Sequence, residues 1–195
     1  MIDVIIPSLT AMIIAITGLM STTMTLATYR ENGILRRLRT TPVSPLTILL
    51  AQVIVVFAMT LLGMLLLIVV GMLVYDLRFE GNPLSVLGGF VLSSLSFFGI
   101  GIILAGTMPT VRAAWVGGMV LLYPMVFLSG AFFPLELLPA AVQKVAAFMP
   151  LTHVVDLLNG LWTGEPWGAH LLNAGVLAGV LLLGVFVSVK TFRWE

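Results

Sequence analysis

The chain has no cysteine, and only nine per cent of its 195 residues are charged. The first absence excludes disulfides, thiolate metal sites and a cysteine nucleophile, and says nothing about compartment. The second lies far below the roughly one quarter expected of a soluble domain. Histidine is scarce as well, with two residues. A zinc-type centre needs three or four convergent ligands, so no metal is expected around His153, Asp156, Glu165 and His170. No Walker A phosphate loop is present, so the chain cannot hydrolyse ATP alone. No serine sits in a Gly-x-Ser-x-Gly elbow, which argues against an intramembrane hydrolase. A net charge of +1 gives no basis for a nucleic-acid partner. No cofactor is called for, and the chain reads as a non-enzyme.

What fills the chain is apolar. Sixty per cent of residues are hydrophobic and glycine numbers 19, as expected where helices approach closely in a bilayer. A span needs about 20 mostly apolar residues to cross roughly 30 Å of hydrocarbon. Five segments qualify, at about 5–27, 47–74, 85–107, 114–130 and 169–189, the fourth being short and glycine-rich. The fold class is therefore an all-α, polytopic helical membrane protein, with residues 1–195 as a single transmembrane domain. Asp3 makes the start a poor signal-peptide n-region, and no small-residue cleavage site follows, so the first span reads as retained.

Lys and Arg in short loops set orientation. With the loop 28–46 inside, Arg30, Arg36, Arg37, Arg39, Arg112, Lys190 and Arg193 are cytoplasmic, and Arg78 and Lys144 remain outside. Seven against two places the basic loop and the carboxyl terminus in the cytoplasm and the amino terminus outside. The protein reads as a multi-pass resident of a prokaryotic cell membrane.

Interior charge is missing from all five spans. Ion-coupled carriers usually keep ionisable groups at membrane depth, so secondary transport is disfavoured. Thr17, Ser21, Thr22, Thr23 and Thr25 make the first span rich in hydroxyls, which suits helix packing better than a polar path. Outside, residues 131–168 are divided by Pro134, Pro139 and Pro150. Helical spacing over 140–148 and a cap at Thr152 predict two short helices that lie at the membrane interface or dip into it, with Trp162 and Trp167 at headgroup depth.

The segment 29–45, YRENGILRRLRTTPVSP, holds four of the nine basic residues. Ile34, Leu35 and Leu38 share an apolar face, Arg36, Arg37 and Arg39 cover the rest, and Pro42 and Pro45 end the helix. Glu31 has no basic residue three or four positions away, so it is free to face a partner or the mouth of the bundle. Two readings stand: an anchor on anionic lipid headgroups, or a docking surface for a protein. Spacing alone leans to the anchor.

Two motifs together shift that balance. YRENGILRRLRTTPVSPLTILLAQ resembles the basic amphipathic loop of the type-2 ABC exporter permeases, the membrane subunits of ATP-driven drug and glycan exporters. LSGAFFPLELLPAAVQKVAAFMPLTHVVDLLNGL is similar to the external segment before that family's last span, and the order and separation of the two also match. The resemblance implies a separate ABC ATPase subunit as partner and a second permease subunit, as homo- or heterodimer. It implies that about 28–40 is a coupling helix, with Arg30, Glu31, Gly33, Leu35, Arg36, Arg37 and Leu38 meeting the ATPase. It further implies that Phe132, Phe133, Pro134, Pro150, Thr152 and His153 belong to external re-entrant helices capping the pathway. The implied function is a permease forming the pathway for a hydrophobic or amphipathic substrate. Export of a lipid-linked glycan or polysaccharide remains the alternative, as does a non-transporting membrane anchor. Family members usually have six spans, whereas five are visible, so the first family span and its preceding interface helix are expected to be missing. Asn159 stands where many relatives carry a basic residue.

Overall fold

The computed structural model describes residues 2–34, 45–75, 79, 81–132, 135 and 139–191. Among them every regular element is helical. The first span is composite: α1 (Ile2–Ile16), a π-helical turn (Thr17–Ser21) and α2 (Thr22–Glu31). Then come α3 (Pro45–Tyr75), α4 (Pro83–Thr107) and α5 (Val111–Leu128). Two short helices, α6 (Ala140–Ala146) and α7 (Pro150–Trp162), precede a 3-10 turn (Trp167–His170) and α8 (Leu171–Thr191).

Five helices are long and apolar enough to cross a membrane, over Ile5–Glu31, Thr47–Val74, Pro83–Thr107, Val111–Leu128 and Trp167–Ser188. They coincide with the five segments expected from hydropathy. The short fourth helix has 18 residues, about 27 Å at 1.5 Å per residue, enough for the hydrocarbon. Local signals start the helices. Asn82 Oδ1 accepts the Leu84 N–H at 2.9 Å with Pro83 in the first turn, and Thr110 Oγ1 accepts the Ala113 N–H at 3.1 Å. Both are side-chain N-caps.

Glycine and hydroxyl groups bring the spans together. A Cβ on Gly101 would overlap the Gly18 carbonyl oxygen, and one on Gly184 would lie 2.9 Å from Gly99 Cα. The helix backbones therefore cross in direct contact, α4 against the π-turn on one side and α8 on the other. Thr23 Oγ1 donates to Gly101 O at 3.0 Å, Thr60 Oγ1 to Thr17 Oγ1 at 3.0 Å, and Ser96 Oγ to Leu177 O at 2.8 Å. Thr17, Thr22 and Thr25 donate to carbonyls of their own span. The hydroxyl-rich first span is thus used for packing, each interhelical bond contributing about 0.6 kcal/mol in lipid.

The segment before the last span dips into the bundle rather than lying along its surface. α6 and α7 meet at 88°, and α7 lies inside the bundle against α1, α4 and α8. Leu151, Val154, Leu157, Leu158 and Leu161 are buried. Trp162, expected at headgroup depth, is 2% exposed and meets Phe79 edge-to-face at 4.8 Å. The cause is a wide apolar face on α7, with the exposed Asp156 as its polar remainder. Two small neighbours let α7 sink. A Cβ on Gly81 would strike the Leu161 carbonyl, and one on Gly89 would lie 2.7 Å from Leu161 Cδ1.

Candidate functional site

The residues singled out by the sequence fall at opposite ends of the bundle. At one end α2 stops at Glu31, and Gly33 takes φ 65°. The Asn32 and Gly33 N–H groups close back on Thr28 O and Arg30 O, both at 3.0 Å, a left-handed glycine termination. A Cβ on Gly33 would meet open space, so its role here is conformational rather than one of close approach. Leu35, Arg36, Arg37 and Leu38 lie outside the described residues, as does the rest of the expected helix over 35–40.

Glu31 is exposed, yet it is not free as its sequence neighbours implied. Its Oε2 accepts the Val111 N–H at 2.8 Å, at the first turn of α5. Pairing was missed because the partner is a backbone group 80 positions away. Arg30 turns the same way, with Nη1 3.4 Å from Gly106 O, while Nη2 is buried without a hydrogen-bond partner among the described residues.

At the other end, Pro150 occupies the first turn of α7 behind Met149, where its lost N–H costs nothing and its φ is pre-set. Thr152 does not cap that helix. Its hydroxyl donates to Ala146 O at 2.7 Å, across the α6–α7 elbow. The cap fails because α7 begins two residues earlier, at Pro150, so Thr152 is already inside the helix. His153 ties three pieces together: Nδ1 pairs with Asn173 Oδ1 of α8 at 2.8 Å, and Nε2 with Ala147 O at 3.1 Å. Both partner atoms are carbonyl oxygens, which only accept, so the ring nitrogen that carries the proton is the one that donates. Phe132 is exposed, its ring 5.9 Å from that of Phe127. Phe133 and Pro134 lie outside the described residues.

Known proteins decide what this arrangement belongs to. The family model for ABC-2 type transporters matches residues 2–161, a stretch that contains both ends. The chain belongs to the ABC-2 type transporter family. Nodulation protein J of Rhizobium leguminosarum bv. viciae is 33% identical over 102 residues, 52% of this chain and 39% of that protein. The probable multidrug ABC transporter permease YbhR of Escherichia coli K12 is 25% identical over 158 residues, 81% of this chain and 43% of its own. YbhS of the same strain, named likewise, is 26% identical over 159 residues, covering 81% and 42%. The chain spans about two fifths of the length of these curated relatives. No solved structure matches it significantly.

This ABC-2 type chain also holds features that motif reading missed. A cavity of about 390 Å³ opens between the polar stripe of α7 and the start of α8, lined by Asp156, Asn159, Gly160, Thr163, Glu165, His170 and Asn173. His170 Nε2 lies 2.8 Å from Glu165 Oε2, and the imidazole occupies the space a side chain at Gly160 would need. Asn159 donates from Nδ2 to Ser8 Oγ at 3.3 Å and so touches α1. Among the described residues no group of three His, Cys, Asp or Glu could hold a metal ion. His153 works as a fastener of the elbow. Its replacement in His153→Ala removes two part-buried hydrogen bonds, each contributing about 0.5–1.5 kcal/mol. Thermal unfolding of the detergent-solubilised variant is expected to occur at a clearly lower temperature. An unchanged midpoint would rule out the fastening role.

Proposed function

We propose that this chain is the permease subunit of an ATP-driven exporter, forming the translocation pathway while a separate ATP-binding cassette subunit hydrolyses ATP. The observation that carries the reading is the ABC-2 family match over residues 2–161. The absence of a Walker A loop from the sequence supports the division of labour. ATP binding draws two cassette subunits together, displaces the loop after α2 in each permease subunit, and tilts the spans to change access. The pathway forms with a second permease subunit. The protein sits in a prokaryotic cell membrane with the basic loop in the cytoplasm, as the seven-to-two distribution of Lys and Arg favours.

Arg30, Glu31, Gly33, Leu35, Arg36, Arg37 and Leu38 make up the coupling region in this reading, and Phe132, Phe133, Pro134, Pro150, Thr152 and His153 the external cap. Hydrophobic or amphipathic small molecules are the favoured substrate class, in line with the multidrug permeases among the relatives and with spans that carry no charge in their interiors. The test is co-purification from membranes, followed by Arg37→Glu. Charge reversal at a docking surface is expected to lower transport-coupled ATP hydrolysis about tenfold, equivalent to roughly 1.4 kcal/mol, with membrane insertion intact. Wild-type coupling in that variant sinks the docking assignment. A wild-type protein that never carries a cassette ATPase is instead a membrane anchor.

A further inference from the structure

The strongest unassigned feature is the bond between the end of the first span and the start of the fourth. α5 has a local cap, because the Thr110 hydroxyl takes the Ala113 N–H at 3.1 Å. Its first N–H, that of Val111, is taken by the Glu31 carboxylate at 2.8 Å. A charged acceptor at a helix N-terminus gains both a charge-assisted bond and a favourable helix dipole. Arg30, one residue earlier, reaches the Gly106 carbonyl at the end of α4. Two consecutive side chains of α2 thus grip the two helix ends that flank the turn 108–110.

The packing above this grip is also close. Leu26 of α2 is buried with Ile102 and Ala105 of α4. A Cβ on Gly118 of α5 would lie 2.6 Å from Met20 Sδ and 3.5 Å from the Leu19 carbonyl. On the far side of the loop, α3 turns Leu50, Ile54, Val55, Met59 and Leu62 outward, while Gln52, Val56 and Thr60 are buried. Gly33 ends the α2 helix two residues beyond Glu31, so the grip lies at the last helical turn before residue 35. On the α2 side, displacement of the loop therefore meets an element fastened to both α4 and α5.

We propose that Glu31 is a positioning residue that locks the last turn of α2 to the first turn of α5, so that both move as one body when the loop is displaced. This rests on the reading of the loop as the ATPase docking segment. It changes the part played by Glu31, from a contact with the ATPase to a strut behind the docking surface.

Two measurements test it. In vesicles holding the permease alone, Glu31→Ala is expected to speed amide hydrogen exchange at Val111 by about tenfold, and Glu31→Gln, which keeps an acceptor oxygen, by less than threefold. This arm needs no ATPase, so it stands even if none binds. Equal exchange in wild type and Glu31→Ala overturns the strut.

The second arm uses the complex with the co-purifying cassette subunit. The chain has no cysteine, so Asn32→Cys with Arg112→Cys, two exposed positions beside the bond, can be joined by a short bis-methanethiosulfonate. One-body motion predicts that the joined complex keeps transport and ATP hydrolysis within twofold of the unjoined one. A tenfold loss on joining means that the two ends separate during the cycle, and overturns the proposal. Glu31→Ala is expected to retain the ATPase while transport per ATP falls about fivefold, with Glu31→Gln restoring most of it. Release of the ATPase by Glu31→Ala would instead make Glu31 a docking contact, and also overturns the proposal.

Discussion

Gly101→Val is expected to be among the most damaging single substitutions in this protein. At residue 101 the α4 backbone touches the π-turn of the first span, and even a Cβ would overlap the Gly18 carbonyl oxygen. Gly18 cannot yield, because a Cβ there would itself lie 2.6 Å from Phe97 Cβ. Spans in lipid associate through close packing and interhelical hydrogen bonds, with little hydrophobic drive between them. Forcing the helices apart loses both, including the bond from Thr23 to Gly101 O. Overpacking of this kind costs about 3 kcal/mol, enough to deplete folded protein in the membrane. Gly175→Ala is the matched control, since nothing lies within 4 Å of the added atom. Removing a helical glycine there should be neutral or stabilising by up to about 1 kcal/mol. The pair is read by the yield of monodisperse protein and by unfolding temperature in detergent. Similar behaviour of the two variants would refute the close crossing.

Trp162 carries the second large effect. It is among the largest fully buried side chains and closes the end of α7 under Phe79. Truncation in Trp162→Ala leaves a cavity beneath the Gly81–Asn82 turn, at about 3–5 kcal/mol for a buried Trp. Trp162→Phe should be far milder, below about 1.5 kcal/mol. It keeps an aromatic ring against Phe79 and deletes an indole N–H that has no hydrogen-bond partner among the described residues. Unfolding midpoints of the two variants should therefore separate widely. If they coincide, the indole N–H is bonded and the ring packing counts for little.

The spans were legible because hydropathy measures what lipid selects. The wholly apolar runs around Leu61 and Leu104 can sit nowhere else, and all five segments appeared near their expected limits. The two motifs were legible as well, and the family match confirms the membership they implied. What composition could not convey was depth and partnership. Nothing in the order of residues 150–162 says whether an apolar helix lies on lipid or inside protein. That depended on Gly81 and Gly89, distant in sequence, opening the room for it. Glu31 looked solitary because helix spacing looks only three or four residues away, and a backbone donor carries no sequence signature at all. Thr152 was read as a cap because Pro150 was counted as a break, although proline also serves as a first helical residue.

The π-turn at residues 17–21 has a consequence for everything after it. An α-helix advances about 100° per residue, and a π-turn accommodates one extra residue without breaking the rod. Thr22 bonds back to the Thr17 carbonyl, five positions earlier, through both its N–H and its hydroxyl. The lower half of the first span is thus rotated in phase relative to the upper half. Thr23 aims at Gly101 and Glu31 aims at Val111 only in that rotated setting. The angular address of Glu31, ten residues and about 15 Å along the span, is set in the middle of that span by one residue of surplus.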